Sequence, residues 1–131
     1  MDNSKRLFIS LRITDFSCPP SDIADALQLS PTDGWDIGGK SKNSNRVRKN
    51  NGWIFQKSFE SLEDMSSKIT EFIKEFYEKI DGIKKIGSHK SQLYIALYLS
   101  GEVNCGISLS PHTIDRMSEL GFGLDVDIYQ L

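Results

Sequence analysis

The chain has 131 residues, 38% hydrophobic and 26% charged, with a formal net charge of −2. That supports one packed core over residues 1–131 but not two comfortable ones, and the near-neutral balance weighs against nucleic acid as the dominant partner. Cys18 and Cys105 lie far apart without ligand spacing, so neither a disulfide framework nor a cysteine zinc site is suggested, and no apolar run approaches the roughly 20 residues that span a bilayer.

Met1 to Arg6 lack a signal-peptide core, so a cytoplasmic location without membrane contact is expected. Leu7 to Thr14 alternates, with Leu7, Ile9, Leu11 and Ile13 on one face, and predicts a half-buried strand. Pro19-Pro20 ends it, and Pro20 suits the first turn of a short helix whose stripe is Ile23, Ala24 and Leu27. Trp35-Asp36-Ile37 reads as a second strand.

Residues 38–52 form a basic loop holding Lys40, Lys42, Arg46, Arg48 and Lys49, and no acidic residue occurs between 38 and 57. Charge is therefore segregated along the chain. Trp53 to Phe59 then reads as a strand with Trp53, Phe55 and Lys57 on one face.

The strongest periodicity follows. Leu62, Met65, Ile69, Phe72, Ile73, Phe76 and Ile80 predict one amphipathic helix over 61–81, capped by Ser61 and stopped by Gly82. Gln92 to Ser100 is the clearest strand, with Leu93, Ile95, Leu97 and Leu99 towards the core and Tyr94, Ala96 and Tyr98 away from it. Ile107 to Leu109 suits a short returning strand. Ser110 then caps a helix with Pro111 at its first position and Ile114, Met117 and Leu120 as its buried stripe, ending at Gly121. Leu124, Val126 and Ile128 alternate with Asp125, Asp127 and Tyr129 in a last strand.

The first and last thirds echo each other as strand-helix-strand units that a pseudo-twofold axis could relate. The predicted order is β-α-β-β-α-β-(β)-α-β, an α+β, ferredoxin-like sandwich with a mostly antiparallel sheet and helices on one face.

No stretch names a reaction. His89 and His112 lack the spacing of a metal site, Cys105 with His112 has no third member, and Gly38-Gly39-Lys40-Ser41 lacks the spacing of a phosphate loop. Asp125 and Asp127 share one side of a strand, as solvated residues ordinarily do. No cofactor, metal or catalytic residue is expected. Phe8, Arg12, Trp53, Phe55, Tyr94, Tyr98 and Tyr129 are expected on the outer sheet face, an aromatic surface that needs a partner.

The sequence also resembles a known family. Phe8 and Ser10 to Ile13, then Ile23, Leu27, Leu29, Pro31 and Thr32, then Gly38, Trp53 and the long helix are similar to the bacterial domain of unknown function 4279. Leu120-Gly121, Leu124, Val126 and Asp127-Ile128-Tyr129 complete the resemblance. It covers nearly the whole chain and carries no established catalytic residues. It implies a small bacterial or phage-type protein, some relatives of which stand in toxin-immunity gene neighbourhoods.

The expected function is therefore non-catalytic binding, of the immunity type that masks a toxin or other effector by occlusion. Lys40, Lys42, Arg46, Arg48, Lys49, Trp35 and Trp53 are the candidate contacts. The alternative is a nucleic-acid-binding module using the basic loop and aromatic face, against which Asp125 and Asp127 weigh. A homodimer is compatible with either.

Overall fold

A strand that alternates apolar and polar residues can bury one face against helices while both of its edges pair with other strands. Leu7–Thr14 does this at the middle of the sheet. The computed structural model describes residues 4–35, 51–101 and 106–131. Its elements run β1 (Leu7–Thr14), α1 (Pro20–Leu27), β2 (Asp33–Trp35), β3 (Gly52–Phe59), α2 (Met65–Tyr77), α3 (Ile80–Lys85), β4 (Lys90–Leu99), α4 (Pro111–Leu120) and β5 (Phe122–Gln130).

The five strands lie in the order β2-β3-β1-β4-β5. β1 is antiparallel to both β3 and β4, β2 is antiparallel to β3, and β5 runs parallel to β4. It follows that β1 and β2 point one way while β3, β4 and β5 point the other. Three connections therefore join parallel strands: α1 carries the chain from β1 to β2, α2 and α3 from β3 to β4, and α4 from β4 to β5. The first leaves an "up" strand towards one side, and the other two leave "down" strands towards the opposite side. One shared right-handedness then places every helix on the same face. The buried side chains agree, since those of all four helices join Leu7, Ile9, Leu11, Ile13, Leu93, Ile95 and Leu97 in one apolar cluster.

The fold is thus α+β, and the last two connections join three mutually parallel strands, β3 on one side of β1 and β4 with β5 on the other. The two strand-helix-strand units that echo each other in sequence differ in the sheet. β1 and β2 are separated by β3, whereas β4 and β5 are neighbours.

The helix expected over 61–81 is two helices. Asp64 takes a left-handed conformation at φ 54° and caps α2 without a side-chain bond. Ser61 instead accepts a hydrogen bond from the Glu63 N–H at 2.9 Å, closing a local turn. A second break falls at Lys79, φ −106° and ψ 17°, and beyond it Ile83 of α3 is buried in the same core as Phe76 of α2.

Gly82 lies inside α3 rather than ending a helix. A Cβ there would stand 2.3 Å from the Ala26 carbonyl oxygen, so glycine is what allows α3 to approach α1. Lys79 adds to this junction, its Nζ donating at 2.8 Å to the Leu27 carbonyl, one of the unpaired acceptors at the end of α1.

Three smaller expectations also change. The short strand begins earlier, as Asp33–Trp35. Residues 106–110 hold no strand, because the Ser108 N–H donates to the Ser66 hydroxyl of α2 at 2.7 Å and not to a neighbouring strand. In α4, Ile114 is 52% exposed and Thr113 takes its place in the buried stripe with Met117 and Leu120. The Ser110 cap, Pro111 and the left-handed Gly121 at φ 73° are as expected.

Substituting Gly82→Ala should destabilise the fold by about 2 kcal/mol, because backbone atoms must move to admit the methyl group. Urea unfolding followed by circular dichroism would register this as a lower midpoint, and an unchanged midpoint would mean that α1 and α3 part without cost.

Candidate functional site: the open sheet face

The face of the sheet opposite the helices is built by register. Phe8 on β1 pairs with Ala96 on β4, which pairs with Asp127 on β5. On one side of this row Ser10, Tyr94 and Asp125 align, and on the other Tyr98 aligns with Tyr129. Ala96 is small and buried beneath its larger neighbours. The result is a hollow of about 450 Å³ lined by Phe8, Tyr94, Tyr98 and Tyr129 together with Lys5 and Ser58.

The aromatic rings form a continuous run. Phe8 meets Tyr98 edge-on with centroids 5.6 Å apart, and Tyr98 stacks on Tyr129 at 4.9 Å with 17° between the planes. The Tyr94 hydroxyl donates to the Asp127 carboxylate, and the Tyr129 hydroxyl lies 3.5 Å from both. These bonds, to Asp127 first and then Tyr129, hold the Tyr94 hydroxyl well above the ordinary tyrosine value.

Two residues expected on this surface lie on the other side of the sheet. Trp53 pairs with Ile13 and Phe55 with Leu11, both of which face the helices. Trp53 is fully buried, and its ring is unavailable to a surface contact. Phe55 packs on Phe72 and Phe76 of α2, with centroids 6.1 and 6.0 Å apart. The aromatic character of β3 is core-directed because α2 supplies aromatic partners on that side. Trp35 pairs through its backbone with Gly52 at the outer edge of the sheet. Lys40, Lys42, Arg46, Arg48 and Lys49 lie outside the described residues, as does Cys105.

Among the described residues, no group of three or more His, Cys, Asp or Glu could hold a metal ion. His89 is exposed with its Nδ1 2.7 Å from the Gly87 carbonyl, and Cys18 packs against the core. A larger hollow of about 740 Å³, lined by Arg6, Glu60, Ser61, Glu63 and Asp64, combines both charges and has no aromatic wall. A second polar link, the Tyr77 hydroxyl donating to Glu119 at 2.8 Å with Arg116 over the Tyr77 ring, joins α2 to α4. That hydroxyl is likewise raised above its ordinary value, mainly by Glu119.

The pairing of Tyr94 with Asp127 was not readable in the sequence, because the two residues are 33 positions apart and meet only through the parallel register of β4 and β5.

A family model described as "Domain of unknown function (DUF4279)" matches residues 5–131. The chain belongs to the DUF4279 family. Neither the curated proteins nor the solved structures hold a match to this DUF4279 chain. No helix among its described residues is long and apolar enough to cross a membrane.

The raised Tyr94 value has a definite consequence for stability. The folded protein keeps this proton at pH values where the unfolded chain, titrating near 10, has lost it. Its contribution is whole below about pH 10 and falls as the pH rises further. Absorbance titration at the phenolate band should therefore show Tyr94 among the late-ionising tyrosines, with Tyr77, and Tyr94→Phe should remove the later phase while leaving that of Tyr77; the variant should also lose stability less steeply above about pH 10. A late phase of unchanged amplitude in Tyr94→Phe, which the Tyr77→Phe variant abolishes, would reassign the shift to Tyr77 alone.

Proposed function

We propose that this DUF4279 protein is a non-catalytic binding module of the immunity type, which occludes a partner protein through its open sheet face. The observation that carries this reading is the run of Phe8, Tyr98 and Tyr129 beside Tyr94 and Asp127, on the side of the sheet away from the helices. Tyrosines provide large, rigid contact area with a polar tip, which is why they concentrate where protein surfaces meet. Asp125 and Asp127 on the same face disfavour a phosphate backbone and suit a partner that brings cationic groups. The basic segment with Lys40, Lys42, Arg46, Arg48 and Lys49 is a second contact region, directed at an acidic part of the partner. Trp53, buried in the core, takes no part in it.

We also read the order β4-β1-β3-β2, with its antiparallel pairings and two split crossovers, as a ferredoxin-like sandwich that α4 and β5 extend at the β4 edge. On that reading the internal twofold relates β1-α1-β2 to β3-α2-α3-β4, and the echo between the first and last thirds is one of pattern.

The test is co-expression with the product of the neighbouring open reading frame. Wild type is expected to bind that product and protect the cells from it, and Tyr98→Ala with Tyr129→Ala to lower recovery of the complex by about tenfold or more, a loss of the size seen when aromatic anchors are truncated. The far-ultraviolet spectrum should stay unchanged. Full protection and recovery with the double variant would overturn the role of the face, and charge reversal at Arg46, Arg48 and Lys49 without effect would remove the basic segment from the interface.

A further inference from the structure

β5 ends the sheet on one side, and no strand lies beyond it among the described residues. The Leu131 N–H donates to the Leu99 carbonyl at 2.8 Å. In a parallel ladder the hydrogen-bonding residues alternate, so the odd positions of β5 face β4 and the backbone groups of Leu124, Val126 and Ile128 point out from the sheet edge.

The side chains of these same residues sit on the helix-bearing face, in register with the buried Leu93, Ile95 and Leu97. They are not covered by the helices. Leu124 is 44% exposed, Val126 39% and Ile128 61%. The opposite face of the same edge presents Asp125, Asp127 and Tyr129, all exposed.

Edges of this kind are normally blunted by lysine, proline, a bulge or shortness. β5 has nine residues, FGLDVDIYQ, with no lysine or proline and an unbroken register against β4. Its charged residues, Asp125 and Asp127, are the one blunting feature it carries, and they restrict which strand can pair with it rather than shorten or bend the edge.

We propose that this edge accepts an extended segment of a partner protein as a sixth strand, and that the segment alternates apolar with cationic residues. Its apolar side chains would prolong the strip of Leu124, Val126 and Ile128, and its lysines or arginines would stand opposite Asp125 and Asp127. The aspartates also disfavour the full-length pairing of β5 with a second copy of this chain. Antiparallel pairing centred on Val126 would set Asp125 of each copy opposite Asp127 of the other, and like charges directly across a ladder destabilise it. The inference rests on the reading of the protein as a binding module and names the class of partner.

A terminally blocked peptide of alternating lysine and valine is the probe, with alternating glutamate and valine, and a lysine block joined to a valine block, as controls. Titrated into the labelled protein and followed by amide resonances, the alternating basic peptide should bind saturably, shift β5 resonances, and slow hydrogen exchange at Leu124, Val126 and Ile128 by about tenfold. Val126→Pro removes one outward N–H while leaving the β4 ladder its donors, and should weaken the peptide by about tenfold without unfolding the protein. Leu124→Lys, which keeps the backbone intact, should weaken it by interrupting the apolar strip and adding a charge that repels the cationic peptide. Equal binding of the block peptide, shifts confined to Tyr98 and Tyr129, no binding at all, or a free protein that already dimerises through β5 would each overturn the proposal. Protection of cells by Val126→Pro alongside failure of the tyrosine variant would refute the edge and leave the open-face reading standing.

Discussion

The pairing of β1 on both of its edges is the constraint from which the rest of this structure follows. Its four apolar side chains are fully buried on one face, and it is antiparallel to both β3 and β4. Two strands that are each antiparallel to a third are parallel to one another, and parallel strands cannot be joined by a tight turn. The chain must therefore cross the sheet between β3 and β4, and α2 with α3 is that crossing. The breaks at Asp64 and Lys79 let it bend to the width of the sheet, and Gly82 lets its second half settle on α1.

With every crossover on one side, no helix or strand among the described residues covers the opposite side of the sheet. An exposed face of β1, β3 and β4 would ordinarily be polar, and on much of β3 it is, with Gln56 and Ser58 beyond Ile54. Towards β5 it turns aromatic. Tyrosine reconciles the two demands, since its ring can lie flat on neighbouring side chains while its hydroxyl reaches water or a carboxylate. Tyr94, Tyr98 and Tyr129 do both, and Asp127 gives two of the hydroxyls an anchor.

The strands were legible in the sequence where alternation was strict and the partner on each face was different in kind. β1, β4 and β5 follow from Leu7 to Thr14, Leu93 to Leu99 and Leu124 to Tyr129, and α4 from its serine cap, proline and glycine. Helix continuity was not legible. Periodicity through Leu62, Met65 and Ile80 is the same for one helix as for two joined by a left-handed residue, and Asp64 carries no local sign of its conformation. The face of Trp53 and Phe55 was equally hidden, because β3 has large side chains at successive positions and only the aromatic residues of α2 decide which side is core. Phe8, Tyr94, Tyr98 and Tyr129 of the aromatic surface could be read as a list of residues, alongside Trp53 and Phe55 that do not belong to it, but its geometry belongs to the register of β4 against β5.

The parallel joining of β5 to β4 has a temporal side. β1 to β4 hold three of the four pairings of the sheet and precede α4 in the chain, so during synthesis they can pair before β5 has left the ribosome. β5 then arrives as a late addition to a finished edge, delivered by a helix that packs mainly on α2. Until that moment Tyr94, Tyr98 and the apolar margin of β4 are the exposed border of a nascent sheet, and the last strand acts as its seal.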